Sequence, residues 1–277
     1  VYSGFARIKS TTPMVWLIMK INLYKHHYYL KNCKPVLSLL ILFACTGSLL
    51  AKELTLTPEN IPPVFNAEYS VVFGGIPVAK VTYGLSQPEP GMWIYTSTSK
   101  AQGLAAVFAD SDTVKDRADL KLMGNEILPV FYERERKTKK EDKSEHAIYF
   151  WDENIAKTSY KDRETDIDLS SDIVDQFTIQ LLIMANASDM PDYMILPVIS
   201  KAKIKEYEII NYGMDTIETV FGKREAVKVE RKRKDSSYII WADLSAHGLP
   251  IQIQKVEDGK VEYTVKIQSS TLIQHKK

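Results

Sequence analysis

Residues 168–187, DLSSDIVDQFTIQLLIMANA, constrain the fold more than any other stretch of the chain. From Phe65 onward most other segments alternate apolar and polar residues over short runs, the period of a half-buried strand. This stretch does not. Ile173, Phe177, Leu181 and Met184 recur at i, i+4, i+8 and i+11, one face of a 3.6-residue period, so the spacing predicts a helix over Asp168–Ala187. Ser170 or Ser171 is placed to cap its first turn, and Asp172 and Asp175 set negative charge at the positive end of its dipole. Ile179, Leu182 and Ile183 fill the other faces. A helix apolar nearly all round has to be wrapped by something.

The strands are the only material available to wrap it. Phe65–Phe73 and Val78–Leu85 alternate on either side of Gly74-Gly75, which reads as a hairpin, and Trp93 and Tyr95 share a face of Met92–Lys100. Gly103–Ala109 is ambiguous, a helical turn being one option. Thr113–Leu120, Leu128–Arg136, His146–Trp151 and Ile155–Lys161 follow, the charged tract Glu133–Glu145 forming a solvated hairpin tip. After the helix come Tyr193–Ile199, Ile204–Tyr212, Thr216–Phe221, Glu225–Arg231 and Ser237–Ala242, with a basic tip at Lys232–Asp235. Ile251–Glu257 and Lys260–Ser269, joined by Asp258-Gly259, make the cleanest hairpin. Val261, Tyr263, Val265 and Ile267 face one way and charged or polar residues the other, a sheet with one wet face. About a dozen strands around one apolar helix predict a mainly β (α+β) fold. It is a strongly curved antiparallel sheet, or half-open barrel, wrapped over one central helix in a single domain spanning residues 64–277.

Charge separates this domain from what precedes it. Residues 1–51 hold six of the chain's 36 Lys and Arg and no Asp or Glu, which leaves 30 basic against 35 acidic residues in the remainder. Lys20, Lys25, Lys31 and Lys34 precede the apolar run Val36–Ala44, and small residues lead to Ala51, so residues 19–51 read as a signal peptide cleaved near Ala51. The run is far shorter than the ~20 residues of a membrane span. Two alternatives stand beside cleavage at Ala51: a lipoprotein anchored at Cys45, and an uncleaved membrane anchor. Residues 1–18 lack pattern and caps ahead of Met19-Lys20-Ile21-Asn22 and read as an overextended gene model, and 52–63 as a flexible approach. Both cysteines, Cys33 and Cys45, lie in the leader, so the domain has no disulfide, thiol nucleophile or cysteine metal site to offer.

Chemistry-bearing patterns are sparse. His146, His247 and His275 stand apart, with no H-E-x-x-H, and no serine sits in a G-x-S-x-G elbow. No metal site and no cofactor are expected. Asp166, Asp168, Asp172 and Asp175 surround the helix start, where paired carboxylates could serve an envelope hydrolase; capping and dipole compensation are the favoured reading. The basic tracts Arg134–Lys143 and Arg231–Lys234 read as solvated tips rather than a nucleic-acid surface, because acidic residues interleave the first and the domain is acidic. Aromatics on strands remain, Tyr149 and Trp151 among them. Trp93, Tyr95, Tyr238 and Trp241, with Phe177, Leu181 and Met184 on the helix, are the candidate lining of an apolar pocket, should the sheet leave room.

One resemblance spans nearly the whole domain. Phe65-Asn66-Ala67-Glu68-Tyr69, Leu128-Pro129-Val130-Phe131, Asp168-Leu169-Ser170-Ser171-Asp172, Thr219–Arg231, Ile240-Trp241-Ala242 and Leu249–Ile253 resemble the exported bacterial proteins catalogued as domain of unknown function 3108. That resemblance implies a secreted or envelope protein of Gram-negative bacteria and supplies no catalytic residues. The expected architecture is also similar to periplasmic lipoprotein carriers, whose hollow holds acyl chains, an analogy of fold alone. The expectation is an exported, periplasmic, non-enzymatic protein that binds a hydrophobic ligand or an envelope component. Its partners would be a lipid, a lipoprotein or an envelope protein, with no nucleic acid and no membrane span after signal cleavage. The alternative is a structural or partner-binding envelope module with a filled core.

Overall fold

The computed structural model describes residues 54–103, 106, 113–136, 138, 141–234 and 236–273. The stretches expected from sequence to be a gene-model extension (1–18) and a signal peptide (19–51, with Cys45), and most of Gly103–Ala109, lie outside the described residues.

Fifteen strands form one sheet: β1 (Phe65–Phe73), β2 (Ile76–Glu89), β3 (Met92–Ala101), β4 (Thr113–Met123), β5 (Glu126–Glu135), β6 (Glu145–Phe150), β7 (Ile155–Tyr160), β8 (Arg163–Asp168), β9 (Val174–Asp175), β10 (Tyr193–Ile199), β11 (Ile204–Thr219), β12 (Gly222–Arg233), β13 (Ser236–Asp243), β14 (Leu249–Glu257) and β15 (Lys260–Ser270). The α-helix described along its whole length, α1 (Thr178–Asn186), lies between β9 and β10. The strand order is β8-β7-β6-β5-β4-β3-β2-β1-β15-β14-β13-β12-β11-β10-β9. Two meanders thus join where β1 pairs with β15, and every pairing is antiparallel except β9 with β10.

This order dictates curvature. β8 and β9 are the two ends of the sheet, yet only residues 169–173 connect them. Fifteen strands laid flat at ~4.8 Å spacing would set the ends about 65 Å apart. Six residue steps of extended chain span at most about 20 Å. The sheet therefore has to curl until its ends approach, leaving a large, curved, unclosed barrel-like sheet. No ladder joins β8 to β9 among the described residues; the seam is held by side chains instead.

The helix sits inside that curl, and Thr178, Ile179, Leu181, Leu182, Ile183 and Met184 are all buried. It is shorter than the apolar periodicity predicts, starting at Thr178 rather than Asp168. Asp168 ends β8, Ser170–Asp172 turn the chain, and Val174 and Asp175 pair with Val198 and Ile199 of β10. Backbone groups of 174–175 committed to a ladder are not free to build a helix. The cap moves accordingly. Asp175, not Ser170 or Ser171, accepts from Phe177 N (2.8 Å) and Thr178 N (2.7 Å) through Oδ1 and from Thr178 Oγ1 (2.7 Å) through Oδ2.

Two further strand readings change. β8 is an additional strand, and Ile204–Tyr212 with Thr216–Phe221 form one long strand rather than two. Gly213, at φ 76°, lies in a bulge of β11, where Asn211 pairs with Val229 and Met214 with Val227. Its N–H donates to Asn211 Oδ1 (2.9 Å), so the glycine bends the strand without ending it. Residues 54–63, read from sequence as a flexible approach, lie against the sheet: Leu54 and Leu56 are buried, Ile127 N donates to Leu56 O, and Asn186 Nδ2 donates to Thr55 O.

Candidate functional site

Nine residues of α1 make a rod of only ~14 Å, too short to fill a sheet whose strands run to 16 residues. Its body packs one end of the curl. Beyond its N-terminus the space between helix and sheet stays open as a cavity of about 380 Å³, within the range that holds small organic ligands. Strand alternation decides what faces it. Val71, Val81, Ile240, Ile253 and Val265 supply apolar wall from β1, β2, β13, β14 and β15, and Phe177 and Gln180 close the helix side.

The floor is aromatic. Phe177 stacks on Tyr95 with centroids 4.3 Å apart and on Tyr83 at 6.3 Å, and Tyr69 meets Tyr83 edge-on at 5.4 Å. Burial pushes the Tyr69, Tyr83 and Tyr95 phenols well above their ordinary range, so all three stay neutral. Tyr69 OH donates to Pro250 O (2.8 Å), whereas the fully buried Tyr95 OH has no partner among the described residues. An unsatisfied buried hydroxyl costs on the order of 1–3 kcal/mol. Tyr95→Phe, which keeps the ring stack, is expected to stabilise the protein by about 1 kcal/mol, a rise of roughly 2–4 °C in Tm by circular dichroism. An unchanged or lower Tm would mean the hydroxyl does bond.

The rim is polar and sews the seam together. Arg134 Nε donates to Asp116 Oδ1 (2.7 Å). Glu145 of β6 accepts from Tyr132 OH (3.1 Å), from Gln176 Nε2 and, through its other oxygen, from Lys201 N (2.9 Å). Ser200 Oγ donates to Gln176 Oε1 (2.9 Å) and accepts from Lys205 Nζ (2.8 Å). Side chains of β5 and β6 are thereby tied to residues at the β9–β10 end of the sheet. Burial opposes the charge of Arg134, but Tyr132, Asp116 and Glu145 outweigh it and hold the guanidinium protonated. Burial raises the Glu145 carboxyl despite Arg134. Lys205 is lowered to about 8, by burial first and then by the neighbouring cations Lys201 and Arg233.

Arg231 of β12 also faces the cavity. Its guanidinium lies over the rings of Tyr238 (4.7 Å) and Tyr207 (5.3 Å), and Nη1 makes a long 3.4 Å bond to Gln176 O. Nε is buried with no hydrogen-bond partner among the described residues.

The seven residues expected from sequence are distributed as follows. Phe177 and Tyr238 line the cavity. Tyr95 lies beneath it, stacked on Phe177. Leu181, Met184 and Trp93 are buried in the general core. Trp241, three residues after Tyr238, falls on the opposite face of β13, where its Nε1 donates to Asp215 Oδ2 (2.8 Å) and Lys228 lies 5.4 Å over its ring. Sequence reading passed over Asp116 and Gln176, and it assigned Arg134 and Arg231 to solvated tips, whereas both side chains line the cavity. A signal for Arg231 existed: it continues the inward phase of Val227 and Val229, where a charge is out of place.

The carboxylates near the helix start do not converge. Asp166 and Asp168 are exposed, Asp175 is fully buried as the cap, and Asp172 borders a crevice of about 20 Å³, room for about one water. Among the described residues no group of three or more His, Cys, Asp or Glu is arranged to hold a metal ion, and no helix is long and apolar enough to cross a membrane.

The family described as "Protein of unknown function (DUF3108)" matches residues 68–266. No curated protein matches the chain. Among solved structures the chain is similar to a beta-barrel-like protein of domain of unknown function DUF1849 from Brucella abortus. The two share 8% identity at a TM-score of 0.48, over 78% of this chain and 98% of that one.

Proposed function

Because the chain belongs to the DUF3108 family, whose description assigns no activity, we propose its role from its own cavity: a non-enzymatic, exported protein of the periplasm that binds a hydrophobic ligand inside the curled sheet. The cavity of about 380 Å³ between Phe177 and the apolar wall carries this reading. It also favours a binding role over a module with a filled core. The leader over 19–51 supports export.

Native mass spectrometry of full-length protein expressed with its leader, together with titration of the neutral apolar dye Nile red, tests the proposal. The expected result is a bound lipid-sized mass or saturable dye binding, lost in Val81→Trp, which places an indole in the cavity. The same mass reads the mature N-terminus, Lys52 after cleavage at Ala51 or an acylated Cys45. A ligand-free mass with no saturable dye binding would overturn the binding role.

A further inference from the structure

Four charged side chains line the cavity, three of them arginines: Arg134, Arg136, Arg231 and Asp116. Arg134 is neutralised by Asp116 at 2.7 Å. Among the described residues, neither Arg136 nor Arg231 has a carboxylate within 4 Å, so the interior carries uncompensated positive charge. The two differ in setting. Arg136 stands exposed at the end of β5, while Arg231 is drawn into the cavity between Tyr207 and Tyr238. Buried charges in proteins are normally paired, because desolvation without a partner is costly. Arg231 is half-buried and departs from that rule at one atom: among the described residues its buried Nε has no partner, and the side chain's one hydrogen bond is a 3.4 Å contact to a backbone carbonyl.

A guanidinium presents a planar fork of donors that matches the two oxygens of a carboxylate or phosphate. Ring contacts from Tyr207 and Tyr238 fix the orientation of that plane without consuming its donors. Beside it lie the apolar wall of Val81, Ile240 and Val265 and the ring of Phe177. A ligand that satisfied both surfaces would be apolar along most of its length and carry an acidic oxygen group at one end. We infer that the cavity selects anionic amphiphiles, seating a carboxylate or phosphate head on Arg231 and the tail against the Phe177 wall. This inference rests on the ligand-binding reading above and specifies its ligand class.

Calorimetric titration with dodecanoate, dodecyl phosphate and dodecanol, below their aggregation limits, tests it. At least one of the two anions is expected to bind about tenfold or more tightly than dodecanol, the scale of one charge-assisted bond, and their ratio separates a carboxylate from a phosphate head. Arg231→Met should erase that preference while Nile red binding persists, and Arg231→Lys should keep part of it. Lys232→Gln, one residue away on the wet face, should leave it intact. Equal binding of dodecanol and both anions overturns the inference and leaves the ligand-binding reading standing. Failure of all three, with no dye binding, overturns both. If Arg231→Met does not fold, the wild-type comparison decides by itself.

Discussion

Gly248→Ala is expected to be the most damaging small substitution in the protein, costing about 4 kcal/mol or more and lowering Tm by roughly 8–16 °C, if the protein remains soluble. Gly248 follows β13 in the tight connection to β14. Its φ is +71°, and a Cβ built there would collide with the backbone of Met184, lying 2.8 Å from its carbonyl carbon and 2.9 Å from its Cα and closer still to its oxygen. A left-handed conformation alone costs an alanine about 1–2 kcal/mol. The larger part comes from the neighbour, which is helix backbone and cannot rotate away as a side chain would. The loop cannot retreat easily either. Gly248 N donates to Asp243 O (2.9 Å), and Asp243, almost wholly buried, accepts from Ser245 N and Arg224 Nε. Gly259→Ala provides the control: its φ is the same +71°, but among the described residues no atom beyond its chain neighbours would lie within 4 Å of the new Cβ, so only the conformational cost should appear. Urea denaturation of both variants measures the difference. Equal losses would show that the loop does not press on α1.

Asp175→Ala should cost about 3 kcal/mol, roughly 6–12 °C in Tm, because it strips three short hydrogen bonds and a longer one from Tyr149 OH (3.4 Å) from a fully buried turn. Two of the donors are backbone N–H groups at the start of α1 that no water reaches. Asp175→Asn should cost less, since its carbonyl oxygen can still accept from both. The pair also predicts a pH dependence. Burial raises the Asp175 carboxyl above its ordinary value despite the bonds from Thr178 and Phe177, and it raises Glu145 likewise. A group raised in the folded state binds its proton more tightly there than in the unfolded chain. Its contribution is therefore full below the unfolded carboxylate value near pH ~4 and is lost as pH climbs through the raised folded value. Asparagine has no such proton to lose. The stability deficit of Asp175→Asn relative to wild type should shrink as pH rises above about 4. Thermal melts from pH 4 to 8 measure it, and a deficit that widens with pH would reverse the sign of the Asp175 shift.

Arg231 and Asp175 show where sequence reading stops. Period-2 alternation is a local property, and it located nearly every strand, including the Lys260–Ser270 hairpin arm whose Val265 and Ile267 are buried. Alternation also says which face a residue occupies, and Trp241 shows the cost of not applying it: a tryptophan on a strand is half a prediction until its phase is compared with Tyr238. The helix start was misread for a different reason. Ile173 and Phe177 fit a helical period whether or not the backbone between them is helical, and the competing partner for Val174 and Asp175 is β10, some two dozen residues away. Nothing local announces that pairing.

The sequence by itself determined the strand-rich class, the existence of one apolar helix and its need to be enclosed, because each follows from periodicities of 2 and 3.6 within a short window. Membership of the DUF3108 family was legible there too, in segments spread along the domain. Only the tertiary structure decided that the sheet curls to bring β8 and β9 together, that α1 is too short to fill the curl, and that Arg231, Phe177 and Tyr83 meet around the remaining space. Those facts depend on strand order and helix length together. They set the distances between residues far apart in the chain, which no local period encodes.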